Sequence, residues 1–349
     1  VEKLFYFAKS NILFYVNNIG PPDKADYQHC IIALAEGFKA LNIDFDSNTD
    51  YYKINNTDEY LFKKKENLNH DEYDYIITSF SCGIIEGKRP YPNKNTFLEK
   101  EILLKLNRKY KTILLDWSDG FATYLSNYKY YDYYFCSSYN TNIMSGISKN
   151  IYPFVFNSTN RIIEACVNNI DFKDRKIDLF YSHRVPHSIR GYMLDNIYSN
   201  YKNLMTKFND NFENPNINDK NYIHWHQSGR RHNVEFYNNL KDSKMVDCTG
   251  GYLTNYNNNL LAYQIDSFKL WEAFFSGCCV LFIDLDKFNI TFPKQPINFV
   301  HYIGFTLNKS EDIKIMNNIV NNKINIQQIA KNGYEFVNKY YTPKGIVEY

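Results

Sequence analysis

The feature that most constrains the fold of this chain is an alternation of short apolar segments with longer amphipathic ones. Apolar segments at residues 11–16, 73–80, 112–116 and 133–137 are typical of buried strands. Helical spacing of apolar residues follows the first of them, over residues 31–41. Strands that alternate with helices favour parallel sheets covered by helices on both faces. The first half of the sequence therefore predicts an α/β domain.

A second series of the same kind begins after the polar stretch 168–176. Strand-like segments lie at residues 177–181, 222–226, 245–248, 278–284 and 299–303, and helical patterns at 187–205, 268–275, 310–320 and 326–340. We therefore predict an α/β protein of two Rossmann-like domains that face each other across a cleft. The domains comprise residues 1–170 and 171–349, and the last helix is a candidate to pack back on the N-terminal domain.

Composition narrows the class of protein. The 40 basic and 38 acidic residues leave a net charge of +2, so no clear nucleic-acid footprint is expected. No apolar run reaches the roughly 18–20 residues of a membrane helix. The seven cysteines form no Cys-x-x-Cys pair, which argues against zinc ribbons and thioredoxin-like motifs. We expect a cytoplasmic protein, and we expect the Asn- and Lys-rich stretches 48–69, 208–221 and 255–259 to be surface loops.

The densest chemical signal lies between residues 264 and 284. Asp266 or Ser267 is placed to cap a helix over residues 268–275, whose first amides would form an anion site suited to a pyrophosphate. Lys269 would add a positive charge in the first turn of that helix. One turn later, Glu272 offers a carboxylate that accepts two hydroxyl hydrogen bonds, as a ribose diol provides.

This segment resembles the donor-binding helix of the GT-B glycosyltransferases. In that superfamily a basic residue, an aromatic residue, a glutamate and an alanine precede a small residue, a glycine and an apolar strand. The matching residues here are Lys269, Trp271, Glu272, Ala273, Ser276, Gly277 and the apolar run 279–283. Residues 236–246 and 329–337 look like the elements that flank this motif in such enzymes.

The resemblance implies that the C-terminal domain binds a nucleotide-sugar, most simply a UDP- or GDP-sugar. The donor-binding residues would include Ser267, Phe268, Lys269 and Glu272, and the N-terminal domain would bind a hydroxyl acceptor such as a glycan. No metal or other cofactor is expected, because helix amides and basic side chains can stabilise the leaving diphosphate. Many retaining members carry a further acidic residue before the motif glutamate. Ile265 stands at that place here, which leaves retaining and inverting chemistry open.

Further donor-binding candidates lie in two loops. The loop that follows the strand at residues 177–181 carries Arg184 and Arg190, and the resemblance implies a basic residue there that contacts the diphosphate. Gly250 and Gly251 follow the strand at residues 245–248. Paired glycines permit close approach of the backbone to a ligand, so this loop is expected near the donor sugar.

Two basic or imidazole clusters have competing interpretations. Residues 230–232 (Arg-Arg-His) either flank the nucleotide or form a solvated surface. His224 and His226 lie on one face of the predicted strand at 222–226, because side chains alternate along a strand. Zinc would need further ligands, so structural histidines are the favoured interpretation and no metal site is predicted.

The catalytic base has two candidates in the N-terminal half. Asp119 follows the strand at residues 112–116 and would enter the cleft, where a carboxylate can remove a proton from an acceptor hydroxyl. His29, near the start of the first helix, is the alternative base. Neither position carries a signature beyond its place after a strand or at a helix start.

The leading hypothesis is a glycosyltransferase of the hexosyltransferase type. A nucleotide-sugar 2-epimerase of the same architecture is the first alternative, and it would convert the sugar while the nucleotide stays attached. A non-catalytic protein that binds carbohydrate or nucleic acid is the second. A glycosyltransferase that modifies DNA also stays open, because an acceptor groove can be basic locally despite a small net charge.

Overall fold

The structure is a computed structural model that describes residues 10–16, 28–54, 59–86, 98, 100–118, 124–183, 187–207, 233–256 and 259–349. These residues form two compact units. The first, here called the N-unit, comprises the described residues of 1–160 together with residues 342–349. The second, the C-unit, comprises the described residues of 161–215 together with residues 233–341.

Eight strands of the N-unit are described. In chain order they are β1 (Ile12–Tyr15), β2 (Asp46–Ser47), β3 (Tyr51–Lys53), β4 (Tyr60–Phe62), β5 (Tyr75–Ser79), β6 (Lys111–Asp116), β7 (Tyr133–Cys136) and β8 (Ile151–Pro153). Six of them form a parallel sheet in the order β2-β1-β5-β6-β7-β8. The central strands are buried on both faces, as expected for a parallel sheet covered by other elements.

A small antiparallel hairpin, β3 with β4, lies within the stretch 48–69 that we expected to be a surface loop. That expectation was wrong for these two strands. Tyr51 and Phe62 are buried, and the Phe62 ring lies 5.5 Å from the ring of Phe14 in β1. Aromatic side chains among the polar residues of this stretch therefore supply enough apolar surface to fold it onto the sheet.

Seven strands of the C-unit are described. They are β9 (Ile177–Tyr181), β10 (Met205–Lys207), β11 (Ser243–Asp247), β12 (Tyr252–Tyr256), β13 (Asn259–Tyr263), β14 (Cys279–Ile283) and β15 (Ile303–Phe305). Five of them form a parallel sheet in the order β10-β9-β11-β14-β15, and β12 with β13 forms an antiparallel hairpin. The carboxyl ends of β9, β11 and β14 consequently meet at one edge of the sheet.

The helices lie between or after these strands in the chain. Those described before the C-unit sheet begins are α1 (His29–Ala40), α2 (Phe80–Gly83), α3 (Lys100–Leu104), α4 (Thr141–Met144) and α5 (Asn160–Cys166). In the C-unit they are α6 (Ser188–Tyr192), α7 (Val234–Lys241), α8 (Phe268–Phe275), α9 (Lys309–Val320) and α10 (Ile326–Tyr340). Helices α8 and α10 have the predicted bounds. The single helix predicted over residues 187–205 is instead α6, a π turn (Met193–Ile197) and a 3-10 segment (Tyr198–Leu204).

The last helix, α11 (Pro343–Val347), belongs to the N-unit and packs against α1. Pro343 opens the helix, where its missing N–H group costs nothing, and Thr342 caps it by accepting from the amide of Gly345. The two helices approach so closely that a Cβ atom on Gly37 of α1 would lie 2.0 Å from the carbonyl oxygen of Pro343. Only glycine fits at that contact.

Other details of the sequence prediction need correction or stay untested. The strand expected at 299–303 begins only at Ile303, because Phe299 adopts a positive φ of 58° in the preceding turn. Of the loop expected at 255–259, the described residues 255, 256 and 259 belong to strands β12 and β13. The strand expected at 222–226 lies outside the described residues. All seven cysteines are free and buried. Among the described residues, none of the helices combines the length and apolar character needed to span a membrane.

Candidate functional site

The carboxyl edge of the C-unit sheet brings together an imidazole and a carboxylate. His183 follows β9, and Asp247 ends the adjacent parallel strand β11. The His183 Nε2 and Asp247 Oδ2 atoms are 2.5 Å apart, and the exposed fractions of the two side chains are only 4% and 0%. A buried carboxylate at this edge requires compensation for its lost hydration.

That compensation comes from donors around Asp247. Tyr198 donates its hydroxyl to Oδ1 at 3.0 Å, and Thr249 donates both its amide (3.1 Å) and its hydroxyl (2.7 Å) to the same oxygen. Burial by itself would raise the pKa of Asp247, but His183, Lys269 and these hydrogen bonds outweigh burial and lower that pKa. The carboxylate is therefore an anion at neutral pH.

Lys269 lies in the first turn of α8 and reaches the same cluster. Its Nζ donates to the carbonyl oxygen of Ser182 at 2.5 Å and contacts His183 Nδ1 at 3.0 Å. Burial, and the nearby Arg190 charge, lower the Lys269 pKa to about 8, although Asp247 opposes the shift. Since Lys269 donates to Nδ1, the His183 proton lies on Nε2 and is donated to Asp247. Lys269, His183 and Asp247 thus form a chain of three linked groups, here called the edge cluster.

His183 is neutral within this cluster. Burial and the positive charge of Lys269 lower the pKa of the imidazole to about 3, against the opposing effect of Asp247. A neutral His183 accepts from the ammonium group and donates to the carboxylate at the same time. The neutral imidazole, held by Asp247, therefore fixes the position of the Lys269 ammonium group.

Glu272 lies one turn after Lys269, on the buried side of α8. Its side chain is fully buried, and the hydroxyl of Tyr237 in α7 donates to its Oε1 at 2.8 Å. The predicted role of Glu272 is to accept hydrogen bonds from a ribose diol. In this structure one of its oxygens is engaged by Tyr237, so a ribose would have to share or displace that hydroxyl.

The start of α8 differs from the expected cap. Ser267 occupies the N-cap position, but its side chain makes no capping hydrogen bond. Asp266, just before the N-cap, accepts with its Oδ1 from the indole Nε1 of Trp271 at 2.8 Å. Phe268, the first residue of the helix, is buried at 8% exposure. The prediction of a side-chain cap was therefore wrong for Ser267, whereas the predicted start of the helix at Phe268 is confirmed.

Arg190 in α6 lies against the predicted glycine loop. Its Nε donates to the carbonyl oxygen of Thr249 at 3.4 Å, and a Cβ atom on Gly250 would lie 3.2 Å from its Nη2. Gly251 has a φ of +84°, and a Cβ atom there would lie 2.0 Å from the carbonyl oxygen of Tyr263 in β13. The two glycines thus serve contacts within the protein: one admits the guanidinium group and the other admits the hairpin.

The structure brings several of the predicted donor residues into one neighbourhood. Lys269, Arg190 and Gly250 lie around the carboxyl edge of the C-unit sheet, and the charge of Arg190 lowers the pKa of both Lys269 and His183. Two cations that disfavour each other's charge create a region in which an anion is favoured. Arg184, the other predicted phosphate ligand, lies outside the described residues.

In the N-unit, His29 occupies the first position of α1 and is fully buried. Its ring lies 4.8 Å from that of Phe156 and 5.8 Å from that of Trp117. Burial lowers the pKa of this imidazole to about 3, with a hydrogen bond to the Phe156 backbone opposing the shift. His29 is therefore neutral, as a base must be, but an acceptor would have to enter this aromatic enclosure to reach it. Asp119, the preferred base, lies outside the described residues.

In the N-unit, three further buried side chains carry polar atoms that have no hydrogen-bond partner in the part of the chain that the structure describes. They are the indole nitrogen of Trp117, both amide atoms of Asn157 and the hydroxyl of Ser158. Asp116, which ends β6, is instead satisfied by the Tyr134 hydroxyl and by the Ser118 amide at 3.0 Å. The carboxyl edge of the N-unit sheet therefore has unused hydrogen-bonding capacity.

Other predicted candidates are not described by the structure. The cluster at residues 230–232 and the histidines His224 and His226 lie outside the described residues. Within the described ranges, no group of three or more His, Cys, Asp or Glu side chains is arranged to hold a metal ion.

Sequence reasoning missed His183, Asp247, Tyr198 and Tyr237. A signal existed for the first two, because each stands at the carboxyl end of a predicted strand, where ligands bind in such sheets. For the two tyrosines the sequence offers no such signal. Each acts only because folding brings its hydroxyl to a carboxylate far away in the chain.

Solved structures share this two-unit fold. One is an alpha-glucosyltransferase in complex with UDP-glucose and DNA containing an abasic site, with a TM-score of 0.53 and 10% sequence identity over 95% of each chain. Another alpha-glucosyltransferase structure, in complex with UDP and a 13-mer DNA containing a HMU base, has the same TM-score, 11% identity and the same coverage. No protein-family model matches the chain, and no curated protein matches it either.

The predicted α/β class and the GT-B fold are thereby confirmed. The likeness extends over nearly the whole chain, although the sequence resemblance rested on about twenty residues of the C-terminal half. The comparisons give no support to the expectation of no clear nucleic-acid footprint, which stays a prediction.

Proposed function

We propose that the protein is a glycosyltransferase of the hexosyltransferase type, which moves a sugar from a UDP- or GDP-sugar to a hydroxyl group. The observation that carries the proposal is the edge cluster at the carboxyl edge of the C-unit sheet, in a chain with the GT-B fold. In doubly wound sheets ligands bind outside the carboxyl ends of the strands. Lys269 of α8 contacts His183 at that edge, and Glu272 lies one helical turn after Lys269.

Lys269 and Arg190 would hold the diphosphate of the donor. As the bond between the sugar and the diphosphate breaks, negative charge develops on the departing phosphate oxygens. Positive groups that are already fixed in place stabilise that charge without reorganisation. Asp247 and His183 fix the ammonium group of Lys269, and the Thr249 carbonyl fixes the guanidinium group of Arg190.

Glu272 would bind the ribose of the nucleotide. Its burial beside Lys269 places a carboxylate one helical turn from the proposed phosphate ligand, and Tyr237 orients it. When the donor binds, a ribose hydroxyl would take over or share the hydrogen bond that Tyr237 makes. The backbone amides of Ser267 and Phe268, at the start of α8, would also contact the donor. The Gly250–Gly251 loop is the last proposed donor contact.

Calorimetric titration with UDP, GDP and ADP tests this donor site. We expect one of them to bind, and we expect Lys269→Ala and Glu272→Gln each to weaken it at least tenfold, a loss of about 1.4 kcal/mol. Lys244→Ala is the matched control, because Lys244 is a lysine of the same unit that pairs with Asp178 at the surface. The donor site is wrong if none of the three nucleotides binds, or if the control and Lys269→Ala behave alike.

We further propose that the transfer needs no metal, since Lys269 and Arg190 supply the positive charge. Transfer should then persist in excess EDTA with an unchanged rate. A rate that collapses with EDTA and recovers with Mg²⁺ or Mn²⁺ would show that the diphosphate needs a cation beyond these two side chains.

The acceptor is a hydroxyl group, and DNA is the first carrier to test. The support is that solved alpha-glucosyltransferases of this fold contain DNA, one of them with a HMU base. Radiolabelled UDP-glucose should be supplied with duplex DNA containing HMU, with unmodified DNA and with a neutral oligosaccharide. Label that enters only HMU-containing DNA supports a DNA acceptor, whereas label in the oligosaccharide favours a glycan. Asp119→Asn and His29→Gln, assayed on the preferred acceptor, identify the base by a loss in kcat with little change in KM.

A further inference from the structure

A concave surface lies in the C-unit, at the opposite end of its sheet from the edge cluster. Arg175 stands just before β9, and Ser276 and Gly277 stand just before β14, so these residues mark the amino ends of parallel strands. Helix α10 forms the other wall. The resulting open groove has a volume of about 560 Å³, within the range of sites that hold small organic ligands.

The groove presents aromatic faces and amides together. Tyr334 is 45% exposed and offers apolar surface to a ligand. Phe172 is half-buried, and the Arg175 guanidinium lies 5.3 Å from its ring centroid, so Phe172 offers only the remaining part of its ring. Gln327, Gln328 and Lys331 line the wall formed by α10, and all three are exposed. None of the described residues that line the groove is acidic.

These side chains share one face of α10. Residue 331 lies four positions after 327, three after 328 and three before 334, which places these side chains on one side of the helix. The opposite face of the same helix is firmly fixed, because a Cβ atom on Gly333 would lie 2.5 Å from the carbonyl oxygen of His301. The groove wall is therefore held rigidly, with its polar and aromatic side chains turned away from the core.

Two buried polar atoms of lining residues are left without a partner in the described part of the chain. They are the Nε of Arg175 and the hydroxyl oxygen of Ser276, in side chains that are only 6% and 1% exposed. The terminal nitrogens of Arg175 are already committed, since they donate to the carbonyl oxygens of Ser243, Ser276 and Gly277. The guanidinium group thus stabilises the groove floor, and it is not placed as a free cation for a phosphate.

We propose that this groove binds a neutral carbohydrate chain. A sugar ring has a flat apolar face of C–H groups and a rim of hydroxyls. Tyr334 and Phe172 suit the apolar face, and the glutamine amides suit hydroxyls because each amide both donates and accepts. An anionic ligand fits less well, because Arg175 is engaged and Lys331 lies 3.9 Å from Glu335. This site is separate from the donor site and does not depend on it.

The test is saturation-transfer NMR and calorimetry with neutral hexasaccharides of glucose, N-acetylglucosamine, mannose and xylose, each at about 10 mM, the range in which weak sites fill. We expect at least one to bind. Tyr334→Ala should weaken that binding about tenfold, and Gln327→Ala should weaken it less. The tyrosine and the glutamine are exposed, so both variants should keep the thermal midpoint of the wild type.

Three further measurements decide the proposal. Tyr349→Ala, an exposed tyrosine of the N-unit, should leave hexasaccharide binding unchanged. Lys269→Ala should also leave it unchanged while it weakens nucleotide binding, so a failure of the donor site and a failure of the groove are distinguishable. The proposal is overturned if no hexasaccharide binds, if Tyr334→Ala and Tyr349→Ala behave alike, or if UDP competes with the bound sugar.

Discussion

Each of the two sheets carries a buried neutral histidine near its carboxyl edge, but the surroundings of the two imidazoles are opposite in kind. In the C-unit, His183 lies between an ammonium group and a carboxylate. In the N-unit, His29 lies among the rings of Phe156 and Trp117. Burial lowers the pKa of both to about 3. Each imidazole is therefore neutral because it is desolvated, whereas the position of each ring is set by the groups that contact it.

The two edges also differ in how completely their polar groups are satisfied. Around Asp247, donors converge on the carboxylate. In the N-unit, the buried polar atoms of Trp117, Asn157 and Ser158 have no partner among the described residues. An unpaired buried polar atom costs about 1–3 kcal/mol. The C-unit edge is thus organised before any ligand arrives, while the N-unit edge has hydrogen bonds still to make.

The largest expected effect comes from removing the central carboxylate of the C-unit edge. Asp247→Ala leaves His183, Tyr198 and Thr249 without the carboxylate to which they are hydrogen-bonded. Hydrogen bonds to a charged group contribute about 1.5–3 kcal/mol each, so the loss should exceed about 3 kcal/mol. Asp178→Ala is the control, because Asp178 is 45% exposed in its pair with Lys244 and should cost less than about 1 kcal/mol. Urea denaturation measures both. Equal losses would mean that the edge cluster is not coupled to stability.

Acid should destabilise both edges through their histidines. Each imidazole has a pKa of about 3 when folded and 6.5 as its ordinary value, so unfolded chains bind the proton first. The stability that each histidine contributes is complete above pH 6.5 and is lost as the pH falls toward 3. The slope is about 1.4 kcal/mol per pH unit for each histidine.

Urea midpoints measured between pH 7 and about pH 5, where carboxylates contribute little, test this slope. His29→Gln and His183→Gln should each lower the pH dependence of the free energy of unfolding by the slope of one histidine. If only His183→Gln flattens the curve, His29 is accessible to protons in the folded state, and the comparison of the two edges fails.

A smaller difference in stability is expected between two variants that each remove a buried hydroxyl. Thr249 donates its hydroxyl to Asp247, whereas the Ser158 hydroxyl has no partner among the described residues. Thr249→Val removes a 2.7 Å hydrogen bond to the Asp247 carboxylate and should destabilise by about 1.5–3 kcal/mol. Ser158→Ala removes a buried hydroxyl that lacks a partner in the described chain, so it should be neutral or stabilise by about 1 kcal/mol. Thermal midpoints rank the two variants. A destabilising Ser158→Ala would show that this hydroxyl has a partner, such as ordered water.

The smallest expected effect concerns the ammonium group of Lys269. With a pKa of about 8, the side chain is charged below that pH and loses its charge above it. Nucleotide affinity should therefore fall about tenfold between pH 7 and pH 9. Lys269→Arg should abolish the fall, because arginine stays charged. An affinity that is flat with pH in the wild-type protein would place the diphosphate away from Lys269.

The sequence predicts the architecture well where apolar patterns are long and regular. Periodicity alone predicts the α/β class, the strands that begin at residues 75, 111 and 177, and helices α8 and α10. The β3–β4 hairpin is missed because its apolar residues lie within a polar, Asn-rich stretch. The strand β15 is misplaced because the turn before it contains Phe299, an apolar residue that the pattern assigns to a strand.

The candidate site was predictable only in part. Lys269 and Glu272 follow from a motif, and Arg190 from its place in a loop. The hydrogen-bond partners of these residues cannot be predicted in that way. Tyr237 meets Glu272 across 35 positions of sequence, and Tyr198 meets Asp247 across 49. Contacts of this kind depend on how α6, α7 and the turns between them pack, which no local pattern specifies.

The contact between Gly37 and Pro343 has a consequence for how this chain is made. Helix α11 is synthesised after the entire C-unit, yet it completes the packing of α1. One flank of α1 therefore stays uncovered until residues 343–347 have been synthesised and can reach it.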